Sequence, residues 1–361
     1  MYTIIGFISI FGGIVFLHEL GHFIAARSVG VRVEKFYVGF NPWGLGKVIY
    51  RSKDTEYGIG FLPLGGYCKI AGMVDESLDE TVTGADDEFN SKNTLQKLWI
   101  LSGGVIMNFL LAFLLCLFLF TQYGLPDQTT LIEVVDNYPA ANAGIKDGSL
   151  ITKINDKPIT FFSDIPEHLA GLESNQKITI EYKFNDELKT VSLIPKEENI
   201  EGVNLFKIGV RPLLLSENDV SKLKQHLVFK ETTFLNALAA SAITPVNIII
   251  MQIDAFSQII AGQLGVDQMA GPVKITQAAG QTAKLGLAYF LLIMIQINTV
   301  LGFMNILPIP GLDGGHALMT IIEGISGRKI PIDIKIKIQT VAVLLILGLA
   351  FFILMNDIRN L

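Results

Sequence analysis

His18-Glu19-Leu20-Gly21-His22 is the run that decides how this chain is read. Met1–Leu17 before it carries no charged side chain, and Phe23–Ala26 after it is uncharged as well. The run therefore belongs to an apolar helix rather than to a soluble surface. Positions i and i+4 share one helix face, so His18 and His22 can aim both imidazoles at one metal ion. Zinc takes neutral imidazole nitrogens and, in catalytic sites, three protein ligands with a fourth position for water. Glu19 lies where it can take a proton from that water. A charged residue at bilayer depth costs roughly 2.5–3.5 kcal/mol on insertion scales, which points to function. The bland alternative is a pair of helix-face histidines hydrogen-bonded to neighbours. Two His and one Glu do not complete a zinc site, and a third ligand has to come from elsewhere.

The rest of the composition fits a membrane setting. Of 361 residues, 50% are hydrophobic and 17% charged, against about 25% charged in soluble domains. Mean hydropathy is +0.47. A net charge of −6 argues against a nucleic-acid partner. Cys116 lies in an apolar run, so Cys68 and Cys116 do not suggest a disulfide framework. The first apolar segment has no basic start and no small-residue cleavage site, and is expected to stay as a membrane helix.

Four segments reach the roughly 20 residues that cross a bilayer: Tyr2–Ala26, Leu98–Pro126, Leu285–Leu312 and Ile338–Asn356. Basic residues cluster at Arg27, Arg32 and Lys35, at Lys92 and Lys97, and at Arg328, Lys329, Lys335 and Lys337. The positive-inside rule puts these clusters on the cytoplasmic side, with the N-terminus, residues 127–284 and the C-terminus outside. Thr232–Ile253 is also uncharged and could span, which would move the Arg328–Lys337 cluster outside. Pro245 interrupts it, and beyond the proline Val246, Ile249, Ile250, Ile253, Phe256 and Ile260 form one stripe. A helix on the membrane surface is the preferred reading, because it keeps the charge rule intact.

Between the first two spans, Tyr57–Ile70 mixes strand formers with glycine and proline, including Gly65, Gly66 and Tyr67. It reads as short strands near the membrane, whose open edge could hold an extended peptide, or as a packing loop. Asp75–Glu88 carries seven acids and no base, the pattern of a solvated loop. Residues 128–197 alternate as β-rich runs, Leu131–Val135, Lys177–Phe184 and Thr190–Pro195 among them, around Pro139–Asn155. That pattern suggests a separate module with one or two helices.

The third span contains Asn305-Ile306-Leu307-Pro308-Ile309-Pro310-Gly311-Leu312-Asp313-Gly314-Gly315-His316. Its two prolines break the helix. Broken backbone at membrane depth is tolerated where it is buried in protein or lines a wet cavity. Asp313 falls on the same side as the end of the first helix and can supply the third ligand. An interfacial helix-end acid is its alternative, and His316 is a rival ligand.

These two motifs together resemble the site-2 protease family of intramembrane zinc metalloproteases, in its bacterial regulator-of-sigma-E branch. Phe36–Phe40 and Pro63–Tyr67 resemble that family's membrane-associated β region. Asn108-Phe109 resembles its N-F signature, Pro139–Asn155 the carboxylate-binding loop of a PDZ domain, and Gly271-Pro272 a recurrent pair. The sequence departs from the pattern in three places. It has one PDZ-like unit where familiar members have two, Ser102-Gly103-Gly104 stands in place of a Gly-Pro, and Gly148-Ser149 in place of a Gly-Asp.

The resemblance implies a polytopic α-helical membrane protein with four transmembrane helices, a membrane-associated β region and one β-rich PDZ-like soluble domain. The segments are 1–27 (first span), 28–97 (cytoplasmic loop with the β region), 98–126 (second span), 127–200 (PDZ-like), 201–284 (linker with amphipathic surface helices), 285–316 (third span), 317–337 (cytoplasmic loop) and 338–361 (fourth span). It implies Zn2+ held by His18, His22 and Asp313, with Glu19 as catalytic base. Asn305, Pro308, Pro310, Gly65, Gly66 and Tyr67 are the implied substrate-binding residues. The substrate would be a single-span membrane protein, pre-trimmed by an upstream site-1 protease, in the bacterial inner membrane. A release of an anti-sigma factor and a clearance of signal-peptide remnants fit equally. A membrane scaffold with a PDZ module and a structural metal is the alternative from another class.

Overall fold

The computed structural model describes residues 6, 8–40, 46–73, 83–200, 203–213, 226–263, 265 and 271–359. The N-terminal helix opens with seven π-helical residues, Ile8–Ile14, and continues as α1 (Val15–Ser28). A four-stranded sheet follows, built from β1 (Val33–Phe40), β2 (Lys47–Arg51), β3 (Glu56–Ile59) and β4 (Leu62–Ile70). Its order is β2-β3-β1-β4, with β1 parallel to β3 and antiparallel to β4. Tyr57–Ile70 thus supplies two strands that flank β1, and β4 stands last in the order, with Tyr67 opposite Tyr37 and Gly66 opposite Val38. Ile49, Tyr50, Ile59 and Phe61 are each more than half exposed, as suits a sheet bordering lipid.

Glu88, at the end of the acidic stretch, is not the solvated acid that the run's charge suggested. Residues 74–82 lie outside the described part, but Glu88 is 1% exposed. Its carboxylate accepts from Thr83 N–H, Thr83 Oγ1 and Gly84 N–H. Three charge-assisted bonds replace the water that a solvated acid would keep.

The chain then enters α2 (Thr94–Gln122) and leaves it for a β-rich unit covering 119–237. Here β5 (Leu125–Gln128), where the chain enters, pairs with β14 (Leu227–Lys230), where it leaves. Between them run β6 (Leu131–Val134), a short α3 (Pro139–Asn142), β7 (Ser149–Ile154), β8 (Lys157–Pro158), α4 (Asp164–Leu169), β9 (Ile178–Phe184) and β10 (Glu187–Leu193). β11 (Lys196–Ile200) and β12 (Val203–Lys207) make a two-stranded ribbon, and β13 (Val210–Pro212) returns to the main sheet beside β6. The module therefore runs past the boundary expected at 200. Alternation drives it: Ile178, Ile180 and Tyr182 point inward along β9 and join Ile132, Ile151, Ile154 and Ile208 in one core. Asn185 and Asp186, both at positive φ, make the tight turn between β9 and β10.

Glu198 anchors the ribbon. Hydrogen bonds from Lys207, Lys196 and Tyr138 push its carboxyl down to about 2. A carboxyl lowered on folding stabilises the fold above its unfolded value and loses that contribution as pH falls through the folded one. Amide protection of β11 and β12 is expected to fall as pH drops from 4.5 towards 2. Glu198→Gln should remove that pH dependence, leaving a lower, flat protection read by hydrogen exchange.

The remaining helices are α5 (Phe234–Ile260), α6 (Pro272–Leu285), α7 (Leu287–Ile306), α8 (Asp313–Ser326) and α9 (Ile332–Arg359). Among the described residues four helices, α2, α5, α7 and α9, are long and apolar enough to cross a membrane; α5, expected on the membrane surface, is one of them, and the expected first span is not. The protein is a multi-pass membrane protein with a β-rich module. Several boundaries differ from the sequence reading. The third span is two helices, because Pro308 and Pro310 withdraw amide donors and end α7 at Ile306. The expected loop 317–337 is mostly helical, because α8 continues to Ser326 and α9 begins at Ile332, six residues before 338. α5 is continuous through Pro245.

The packing around the metal-binding motif is tight. Ile14, Ala279 and Met294 join the N-terminal helix to α6 and α7. Ala26, Val33, Ile70, Ile100 and Leu101 join α1, the sheet and α2. Asp357, fully buried near the end of α9, accepts the N–H groups of Gly271, Val273 and Lys274 at 3.1 Å each and so caps α6.

Candidate metal centre

α1 and α2 cross with almost no space between them. A Cβ on Gly21 would lie 2.2 Å from the Gly103 carbonyl oxygen, and one on Gly103 would lie 2.5 Å from the Gly21 oxygen. Only residues without a side chain allow this backbone contact. Gly104, one position on, faces the imidazoles directly, and a methyl there would sit 2.4 Å from His22 Nε2. The Gly103-Gly104 pair, read from sequence as a mere departure from a pattern, is the wall of the site. Its signal was two glycines in a helix otherwise made of large apolar residues.

His18 and His22 are both buried. His22 Nδ1 donates to the Ile100 carbonyl at 2.9 Å, which leaves its Nε2 with a lone pair facing His18. Asp313 arrives from the first turn of α8. The loop before it folds so closely that a Cβ on Gly314 would lie 2.2 Å from the Ile306 oxygen and 2.3 Å from the Leu307 oxygen. Asp313 Oδ2 stands 3.2 Å from His18 Nε2 and 3.3 Å from His22 Nε2, and the two Nε2 atoms are 3.2 Å apart.

This triangle fits zinc. Three ligand atoms at tetrahedral positions with bonds of about 2.0–2.1 Å stand roughly 3.3–3.4 Å apart. Asp313 Oδ2 is buried without a hydrogen-bond donor among the described residues. Three acceptor atoms crowded together repel unless a cation lies among them. Among the described residues, His18, His22 and Asp313 are the one group of three or more such side chains with ligand atoms this close. His316, the rival ligand, faces elsewhere, with its Nε2 2.8 Å from Gln339 Nε2.

Glu19 lies against β4. The Cys68 backbone N–H bonds its carboxylate, and a Cβ on Gly66 would come within 2.6 Å of Glu19 Cγ. The bare backbone of Gly66 lets the strand approach the acid. Gly65, at φ +82°, takes the left-handed conformation and faces Val15. Asn305 Nδ2 reaches to 3.4 Å from His18 Nε2. Tyr67 sits in β4, and its assigned register partner is Tyr37 rather than a residue of the centre. Pro308 is exposed in the loop between α7 and α8, and Pro310 packs near Gly315. The structure thus brings Asn305 and Gly66 to the centre, while both prolines act through the loop that delivers Asp313.

Asn298 was not singled out in the sequence. It is fully buried on α7, and its Nδ2 donates to the Asn108 carbonyl of α2 at 2.6 Å. This bond ties α7 to α2 two turns from Asn305. Such amide bonds between apolar helices act as glue.

A buried two-histidine, one-carboxylate centre with an acid beside it, set among membrane-length helices, suits a metal-dependent hydrolase. Sequence comparison sharpens this. The profile of peptidase family M50 matches residues 6–349, and the chain belongs to that family. A candidate zinc metalloprotease of Rickettsia conorii is 30% identical over 100% of this chain and 99% of its own length. Another from Helicobacter pylori strain J99 is 31% identical, covering 96% of this chain and 97% of its own. A third, from Campylobacter jejuni, is 32% identical over 96% and 90%. The protein is accordingly a metalloprotease. Among solved structures, the PDZ domain of an SdrC-like protein from Listeria monocytogenes aligns with 23% of this chain and 84% of its own, at 20% identity and a TM-score of 0.20. So low a score carries no argument about the β-rich module.

Proposed function

We propose that this protein is a zinc-dependent intramembrane endopeptidase of the site-2 type. It would cut a single-span membrane protein, in or near its spanning helix, after an upstream protease has trimmed it. The observation that carries the reading is the His18–His22–Asp313 triangle with Glu19 fixed beside it by Cys68 N–H. Zinc, when bound there, polarises the scissile carbonyl and makes water acidic enough to be activated near neutral pH. Glu19 takes the proton from the attacking water and passes it to the leaving amine. The Ile100 carbonyl fixes the tautomer of His22. Asn305, whose Nδ2 lies 3.4 Å from His18 Nε2, would donate to the substrate backbone. β4 stands last in the strand order of its sheet, beside Glu19, and an unwound substrate would add there as a strand. That geometry answers the main difficulty of the reaction, since a helical substrate hides its carbonyls in internal hydrogen bonds.

The β-rich module would act as a PDZ-like size filter at the outer face, admitting only trimmed substrates. The natural substrate would be an anti-sigma factor or a signal-peptide remnant. The centre would lie near the cytoplasmic side of a bacterial inner membrane. One observation supports this orientation. Met73, Phe89 and Asn90, before α2, line one cavity with Lys329–Ile332, before α9. Both stretches therefore share a side. Crossings by α2 and α7 satisfy that condition, and a single further crossing by α5 would break it. This favours α5 lying along the membrane, as its mid-helix proline and the charge rule suggest. A structural-metal scaffold would be expected to close its ion with four protein ligands, whereas three converge among the described residues.

The reading is tested by incubating the purified full chain in detergent with a single-span model substrate. Cleavage within the spanning segment, mapped by mass spectrometry, abolished by a zinc chelator and restored by zinc, is expected. Chelator-insensitive cleavage, or cutting only outside the span, would overturn it.

A further inference from the structure

His316 is not one of the converging ligands, yet its imidazole is engaged beside them. It lies three residues beyond Asp313, in the first turn of α8 and on the same face. Its partner comes from α9, where Gln339 Nε2 donates to His316 Nε2 at 2.8 Å. Gln339 has no exposed surface, and no donor reaches its Oε1 among the described residues. Its helix is otherwise turned outward: Val341, Leu344, Leu345 and Leu347 are each more than half exposed. Leaving one end of a buried amide unbonded is destabilising. An aliphatic side chain would pack there without that cost, so packing alone does not account for the amide.

The same face of α9 makes a second contact. Ala342, Val343 and Ile346 follow Gln339 over the next two turns. A Cβ on Gly311 would lie 3.2 Å from Ile346 Cδ1 and 3.7 Å from Ala342 Cβ. Gly311, at φ +90°, stands two residues before Asp313. One face of α9 thus meets the backbone on both sides of the carboxylate ligand, Gly311 before it and His316 after it. The two contacts differ in kind. The aliphatic one sets how close α9 lies but lets the surfaces slide. The hydrogen bond is directional, and it fixes the rotation of α8 about its own axis. That rotation decides where Asp313 Oδ2 stands, at 3.2 Å and 3.3 Å from the two imidazole nitrogens. His22 has its own orienting partner in the Ile100 carbonyl. Asp313 Oδ2 has no such donor among the described residues, so its position depends on the turn that carries it.

We propose that Gln339 is a positioning residue for the metal centre, which holds Asp313 at ligand distance by fixing His316 and with it the first turn of α8. The inference rests on the metal centre and not on where a substrate is cut.

The test is the zinc affinity of the purified full chain in detergent, measured by competition with a chromophoric chelator. Gln339→Leu removes the bond at similar volume and should weaken zinc binding about tenfold, the lower end of the effect of partners that orient a metal ligand. His316→Leu should weaken it to the same extent. Both remove one and the same bond, so the double variant should be no weaker than either alone. Cobalt(II) in place of zinc should show shifted visible bands in all three variants, because the bands follow ligand geometry. Asp357→Asn is the control for the attachment of α9 in general. It weakens the cap on α6 near the other end of α9, and should lower the unfolding temperature while zinc affinity and the cobalt spectrum stay as they were. Unchanged zinc affinity or an unshifted cobalt spectrum in Gln339→Leu would overturn the proposal. So would losses that multiply in the double variant, or an equal loss in Asp357→Asn. An unaltered chain that binds no zinc would strike the metal centre itself, and the proposal with it.

Discussion

Glu19→Gln is expected to abolish cleavage while leaving the metal in place. The amide is the same size as the carboxylate and can still accept the Cys68 N–H that β4 presents. None of the three converging ligand atoms belongs to Glu19, so zinc stoichiometry should remain that of the unaltered protein. What the amide cannot do is take a proton from water and return it to the leaving amine. Proton transfer by a positioned side chain contributes about 10²–10⁴-fold, and kcat should fall by at least that range. KM should change little, because Glu19 is not asked to hold the substrate. The measurement is the cleavage rate of the model substrate beside metal content by atomic emission. Unchanged cleavage would mean that another group is the base. Loss of metal together with activity would make Glu19 part of the scaffold of the centre.

How much of this site was legible beforehand differs by residue. His18 and His22 were legible because helical spacing alone puts them on one face, and helices form locally. Asp313 was legible as chemistry, an acid after two helix-breaking prolines, but its position is a tertiary fact. It reaches the histidines because Gly314 and Gly315 let α8 start hard against the end of α7. Periodicity could not show that the third span ends at Ile306 and that a separate helix follows, since both pieces are apolar. Glu88 misled for a similar reason. Composition weighs Glu88 with its neighbours, while the fold buries it against Gly72 and bonds it to Thr83 and Gly84. Nor could any local pattern show that Asn298 meets Asn108, 190 residues away, at a site buried between helices. The β-rich module read well because alternation is itself local. Its closing strand at Val210–Pro212 was missed because three residues carry no period.

Gly104→Ala is expected to empty the metal centre, and it separates a packing role from helix propensity. On propensity alone, alanine in place of a mid-helix glycine favours the helix by about 1 kcal/mol. Geometry opposes this at Gly104. The new methyl would stand 2.4 Å from His22 Nε2, 2.5 Å from His18 Cε1 and 2.7 Å from His18 Nε2. His22 cannot swing aside freely, because its Nδ1 is bonded to Ile100, on the same helix as Gly104 and one turn earlier. α2 can relieve the clash only by drawing away from α1, which opens the backbone contact between Gly103 and Gly21 and takes His22 from its Ile100 acceptor. At least one Nε2 atom must leave the triangle. Displacing groups that only orient a ligand lowers metal affinity by about 10–100-fold, and moving a ligand atom itself should do no less. Gly348→Ala in α9 is the matched control, because nothing lies within 4 Å of the added carbon. It should retain zinc and activity and unfold at the same or a higher temperature. Equal zinc content in the two variants, measured after dialysis against a weak chelator, would show that Gly104 does not form the wall of the centre. Zinc retained in Gly348→Ala and lost in Gly104→Ala, with both chains still folded by circular dichroism, would show that the close approach of α2 to α1 is what makes two helix-face histidines a metal site.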